Sequence, residues 1–191
     1  ANVESWRTRA VIRNEQTTIA SLLQSNGYRT AMVGKWHLGF DENGYENPLP
    51  GGPVDRGFDS FFGIRASTDI PPYFYIRDDH AVVAPSDSIE ANKSEGWSPI
   101  QGAFWRAGGI APDLKLKDVL PRFTDEAITV IEDHAETKNK KPLMLYLAYP
   151  APHTPWLPSN KFRSSSKAGM YGDFLVMVDA MIGRVLEALD K

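Results

Sequence analysis

The chain reads as an α/β domain built on a largely parallel sheet. A helix-then-strand order occurs twice, over residues 17–33 and again over 121–149. The second strand, Leu143-Met144-Leu145-Tyr146-Leu147-Ala148-Tyr149, is an unbroken apolar run, which fits a strand buried on both faces of a parallel sheet. Hydrophobic residues make up 42% of 191 positions, enough to pack the core of one such domain.

The elements follow in order. Thr17 and Thr18 suit a helix N-cap, Ile19, Leu22 and Leu23 recur at helical spacing, and Asn26-Gly27 is a stop signal. Residues 28–33 then read as a short strand. From about 65 to 110 there is little periodicity, and prolines, glycines and aromatics dominate an irregular, loop-rich insertion. A small hairpin is expected over residues 73–83. From Pro121, a helical face is formed by Phe123, Ala127, Val130, Ile131 and His134, and the polar stretch 136–141 ends it. The last helix carries Phe174, Val178, Ile182, Val185 and Leu189 as its expected buried stripe.

Bulk properties exclude several roles. A net charge of -3 gives no basic surface for nucleic acid or an acidic membrane. No apolar run approaches the ~20 residues of a membrane span. The first seven residues, Ala1 to Arg7, have neither the basic start nor the apolar stretch of a signal peptide. With no cysteine, the chain cannot supply a disulfide, a thiolate metal site or a cysteine nucleophile.

Two segments carry candidate chemistry. In Met32-Val33-Gly34-Lys35-Trp36-His37, Lys35 and His37 follow a strand and are two residues apart. In extended backbone they would face one space, a cation for an anion beside a group that moves protons near neutral pH. In Tyr149-Pro150-Ala151-Pro152-His153-Thr154-Pro155-Trp156-Leu157-Pro158, four prolines stiffen a loop that presents His153. Ligands of open α/β sheets bind beyond the carboxyl ends of the strands. If both strands are parallel, Lys35, His37 and His153 share that edge. The bland readings are a solvated lysine and structurally hydrogen-bonded histidines. Trp36 and Trp156 read as core or pocket wall, His134 as structural, and Asp78-Asp79 as a turn rather than a metal pair. Tyr73, His80, Trp97, Trp105 and Arg106 are candidates to shape a pocket.

These residues resemble a known family. The run Gly27-Tyr28-Arg29-Thr30-Ala31-Met32-Val33-Gly34-Lys35-Trp36-His37 is similar to the second signature of the type I, formylglycine-dependent sulfatases. Gly57-Phe58-Asp59 with Phe61-Phe62-Gly63, Pro152-His153-Thr154-Pro155, and Tyr171-Gly172-Asp173-Phe174 resemble the segments that follow in these enzymes. Pro71-Pro72-Tyr73 and Phe104-Trp105-Arg106 resemble the bacterial arylsulfatase-like members.

The resemblance implies an alkaline-phosphatase-like, mixed and mostly parallel sheet with helices on both faces, here incomplete. It implies that Lys35 binds a sulfate oxygen, that His37 handles the nucleophile's proton, and that His153 protonates the leaving oxygen and contacts sulfate. It also implies a formylglycine nucleophile and a Ca2+ ion. Their segments are missing, and Ser5-Trp6-Arg7-Thr8-Arg9 resembles the stretch just after the nucleophile motif. The chain is therefore expected to be the central part of a longer catalytic domain, with no metal ligand of its own and no activity alone. The implied substrate is an aryl sulfate or a sulfated sugar, and the implied location periplasmic, lysosomal or secreted. A phosphate or phosphonate ester hydrolase of the same superfamily, and a non-catalytic binder of sulfated glycans, stand as alternatives.

Overall fold

The computed structural model describes residues 9–138 and 141–191, so most of the Ser5–Arg9 segment lies outside the described residues. Helix α1 (Ile19–Ser25) starts at Thr18, whose hydroxyl accepts from the Ser21 amide while the Ser21 side chain bonds back to the Thr18 amide. This reciprocal cap satisfies two donors that a helix start leaves open. Gly27, at φ 85°, turns the chain into strand β1 (Arg29–Lys35). The apolar spacing of α1 does not mark a buried face: Ala20 is buried, whereas Ile19 is 68% exposed.

β1 lies between β2 (Ser60–Ile64) and β7 (Leu143–Ala148), parallel to both, with Val33 level with Phe62 and with Leu147. Its residues from Thr30 to Gly34 are buried on both faces. Strands β3 (Tyr75–Arg77) and β4 (His80–Ala81) extend the sheet antiparallel, giving the order β4-β3-β2-β1-β7. The expected hairpin is thus present. Its turn is shaped by Asp78, at φ 57°, whose carboxylate accepts from the Phe61 amide at 2.9 Å. The 65–110 stretch also holds a two-stranded ribbon, β5 (Asp87–Ile89) with β6 (Gly108–Ile110). Three-residue strands are too short to leave a period-2 signal.

Helix α2 (Val119–Glu136) packs on the sheet face that carries Phe62 and Tyr75, with Phe123 edge-on to both rings. Helix α3 (Gly169–Leu189) lies against α2 and is tied to it by Arg184–Asp125 at 2.8 Å. Two sequence expectations need correction here. The apolar strand β7 lies at an edge of the described sheet and is only half buried, with Tyr146 50% exposed. The buried stripe of α3 is Phe174, Met177, Met181, Val185 and Ala188, while Ile182 and Leu189 face outward. Both phases of that helix are apolar, so periodicity alone does not choose between them; the packing against Leu120, Trp156 and Phe162 does. No described helix is long and apolar enough to cross a membrane.

Candidate active site

Parallel pairing brings the ends of β1, β2 and β7 to one edge, with Lys35 level with Ile64 and Gly34 with Ala148. The ladder continues past β1, because the amides of Trp36 and His37 donate to Ile64 and Arg65 at 3.1 and 2.9 Å. His37 adopts φ 61°, in the left-handed region, so extended-strand alternation does not set its direction. The loop and its bonds to the β2 end place it instead. Trp36 is buried and donates from its indole to Gly39, which makes it a wall.

The loop after β7 is pinned at several points. The Trp156 amide donates to Gly102 at 2.8 Å and its indole to Pro152 at 3.0 Å. The His153 Nδ1 sits 2.8 Å from the Thr154 carbonyl. Sequence periodicity did not reveal the residue at the centre, Asp69, which comes from the loop after β2 and is 4% exposed. Its Oδ1 lies 3.7 Å from His153 Nδ1, and its Oδ2 accepts from Arg106. The Arg106 guanidinium lies over the Phe104 ring at 5.0 Å, and the Tyr73 hydroxyl donates to the Arg106 carbonyl at 2.8 Å.

Lys35, His37, His153 and Asp69 share one electrostatic environment. Burial holds His37 below its ordinary pKa, the charges of Lys35 and His153 push it further down, and Asp69 opposes them. Burial likewise lowers Lys35, again opposed by Asp69. His37 is therefore a neutral proton acceptor near pH 7, beside a partly dried cation. His37 Nδ1, Ser67 Oγ and Asp69 Oδ1 are buried without a hydrogen-bond partner among the described residues. Unpaired buried polar atoms are rare, and His134 Nδ1, beside Arg29 at the start of β1, is another, so they are not confined to this edge.

The other candidates divide clearly. Arg106 and Tyr73 join the site. Trp97 packs edge-on against Trp156, 5.0 Å between centroids, beside an open cleft of about 710 Å³ lined by Lys117, Trp156, Leu157 and Arg163. Lys117 and Leu157 also line a small void with His153, so the cleft adjoins the site. Trp105, next to Arg106, bonds from its indole to the Glu90 carbonyl at 2.9 Å. His80 pairs with Asp79 at the far end of the sheet, since Arg77 beside it is level with Phe62 and not with Ile64. His134 lies near Arg29, at the start of β1 and away from the site. Asp69 and Ser67 had one available signal: they follow a strand end, the position that flagged Lys35 and His153.

The described residues do not fit a calcium site. No group of three or more His, Asp or Glu side chains converges among them, and Asp69 is already bound to Arg106.

The chain matches the family model described as Sulfatase over residues 2–191. It is 30% identical to an N-acetylgalactosamine-6-O-sulfatase of Bacteroides thetaiotaomicron, over 95% of this chain and 40% of that protein. It is 29% identical to an arylsulfatase of Hemicentrotus pulcherrimus, over 96% of this chain and 30% of that one. A solved Bacteroides thetaiotaomicron sulfatase structure, from work on glycosaminoglycan metabolism, superimposes with a TM-score of 0.78 at 24% identity, covering 98% of this chain and 45% of that one. The PsFucS1 sulfatase of Pseudoalteromonas sp. gives 0.63 at 20% identity, over 96% and 36%. The chain thus spans less than half the length of these relatives, and the shared fold is the alkaline-phosphatase-like mixed sheet expected from the motifs. On the family match across nearly its whole length, this chain belongs to the sulfatase family.

Proposed function

We propose that this chain supplies part of the active site of a sulfate ester hydrolase acting on a sulfated sugar. The observation that carries this is the convergence of Lys35, His37 and His153 around buried Asp69 at the carboxyl edge of the sheet. Cleaving a sulfate ester at S–O leaves negative charge on the departing oxygen. Lys35, partly desolvated, offsets charge on the sulfuryl oxygens more strongly than it would in water. His153 is the proton donor for the leaving oxygen. His37, held neutral, is available to accept a proton on the nucleophile side. The nucleophile is a formylglycine and the metal Ca2+ by family resemblance, and both would come from outside the described residues.

A sugar substrate is favoured by the first relative's name, N-acetylgalactosamine-6-O-sulfatase, and by the Trp-lined cleft that adjoins His153. The test is sulfate release by the full-length protein from sulfated disaccharides and from 4-nitrophenyl sulfate, followed by ion chromatography. Release is expected from both. Phosphate release from the matching phosphate esters, with none from the sulfates, would replace this reading by the phosphohydrolase one.

A further inference from the structure

We infer that Asp69 is the positioning residue for His153: it fixes the imidazole with a proton on Nδ1 and steadies the charged ring, so that Nε2 is the atom that gives its proton away. This rests on the sulfatase reading of the site.

The geometry begins at Nδ1. It lies 2.8 Å from the Thr154 carbonyl and 3.7 Å from Asp69 Oδ1, which can only accept, and 3.4 Å from the Thr154 hydroxyl, which can do either. A ring nitrogen facing two acceptors carries the hydrogen. Nε2 is then free to hold the exchangeable proton. Asp69 is itself anchored. Its Oδ2 is held by Arg106 Nη1, and its carbonyl accepts from the Arg106 amide at 3.2 Å. With Oδ2 engaged, Oδ1 is the buried oxygen without a hydrogen bond, and it is the one nearest His153. A gap of 3.7 Å is long for a hydrogen bond, but such contacts tighten when substrate fills a site.

The proton transfer balances simply. As the S–O bond to the leaving group breaks, its electron pair passes to the leaving oxygen, which takes the Nε2 proton. An oxygen nucleophile forms the new bond to sulfur. The ring is left neutral with its hydrogen on Nδ1, still facing Thr154 and Asp69. The charged or titratable groups around Asp69 and His153 are Lys35 and His37 from the end of β1, Arg106 and the Tyr73 hydroxyl from the 73–106 side, and Lys117 across the small void. Among these Asp69 is the buried carboxylate, and its Oδ1 is the oxygen that faces the ring.

The experiment is Asp69→Asn in the full-length protein. On a sugar sulfate, whose alkoxide needs a proton, kcat should fall about 100-fold. On 4-nitrophenyl sulfate, whose phenolate leaves unaided, the loss should stay under about tenfold. Equal losses on the two substrates would reduce Asp69 to a structural partner of Arg106 and overturn the inference. A second readout does not depend on turnover: the ring nitrogen shifts of His153 in the unmodified protein. They should report the Nδ1–H tautomer, and an Nε2–H tautomer would also overturn it. Absence of any ester hydrolysis together with the Nδ1–H tautomer would instead sink the sulfatase reading and leave this placement standing.

Discussion

Lys35 and His37 gain their chemistry from being partly dry. An exposed lysine is a screened point charge, whereas Lys35 is desolvated enough for burial to lower its pKa. Replacing it by alanine is expected to lower kcat/KM at least about 100-fold on any sulfate ester, as loss of one transition-state charge contact does. Steady-state sulfate release by the full-length protein checks this. The pH dependence follows from His37. Its pKa in the folded chain is below its ordinary value of 6.5, so the proton acceptor survives as pH falls through 6.5 and is lost only below it. The acid limb of kcat/KM is therefore expected below pH 6.5, and a limb above that value would assign it to another group. At this scale the sequence showed Lys35, His37 and His153 because they sit in ordered motifs. It did not show Asp69 and Ser67, which lie in an aperiodic stretch and owe their role to burial.

The elements hold those residues through a close approach of strands. At Gly34, φ is 126°, and a Cβ would come within 2.0 Å of the Ala148 carbonyl oxygen. β1 and β7 can therefore pair at their carboxyl ends only if position 34 has no side chain. Gly34→Ala is expected to cost about 1–3 kcal/mol, the range for overpacking a filled core. It should also reduce activity, since Lys35 follows directly. Urea unfolding of the full-length protein measures the first effect and turnover the second. Thr18→Ala, at the α1 cap, is the contrasting case. It removes the hydroxyl that accepts from the Ser21 amide, keeps the bond from the Thr18 amide to the Ser21 hydroxyl, and is expected to cost about 1 kcal/mol while leaving turnover unchanged. Helix and strand order was readable because caps and apolar runs are local. The phase of α3 was not, because Val178 and Met177 are equally apolar and only their neighbours decide which is covered.

At the scale of the whole molecule, the described residues leave apolar surface uncovered. Tyr146 on the edge strand, Ile19 on α1, and Leu186 and Leu189 on α3 are all substantially exposed. An unpaired strand edge beside such surface favours association. The 191-residue chain by itself is expected to bind anilinonaphthalene sulfonate, to associate on concentration, and to release no sulfate. Fluorescence, light scattering and a turnover assay on the purified chain test the three points. A robust metal-dependent rate from that chain would show that nucleophile and metal site lie within it.

The sequence by itself determined the fold class and the helix–strand order, and it singled out three groups, Lys35, His37 and His153, that the fold brings to one edge, because periodicity, capping and short motifs are properties of neighbouring residues. Tertiary structure alone decided that Asp69 and Arg106 join them, that β7 is an edge, and which stripe of α3 is covered. Those outcomes depend on contacts between segments far apart in the chain: His153 meets Asp69 only because β1, β2 and β7 run parallel and end together.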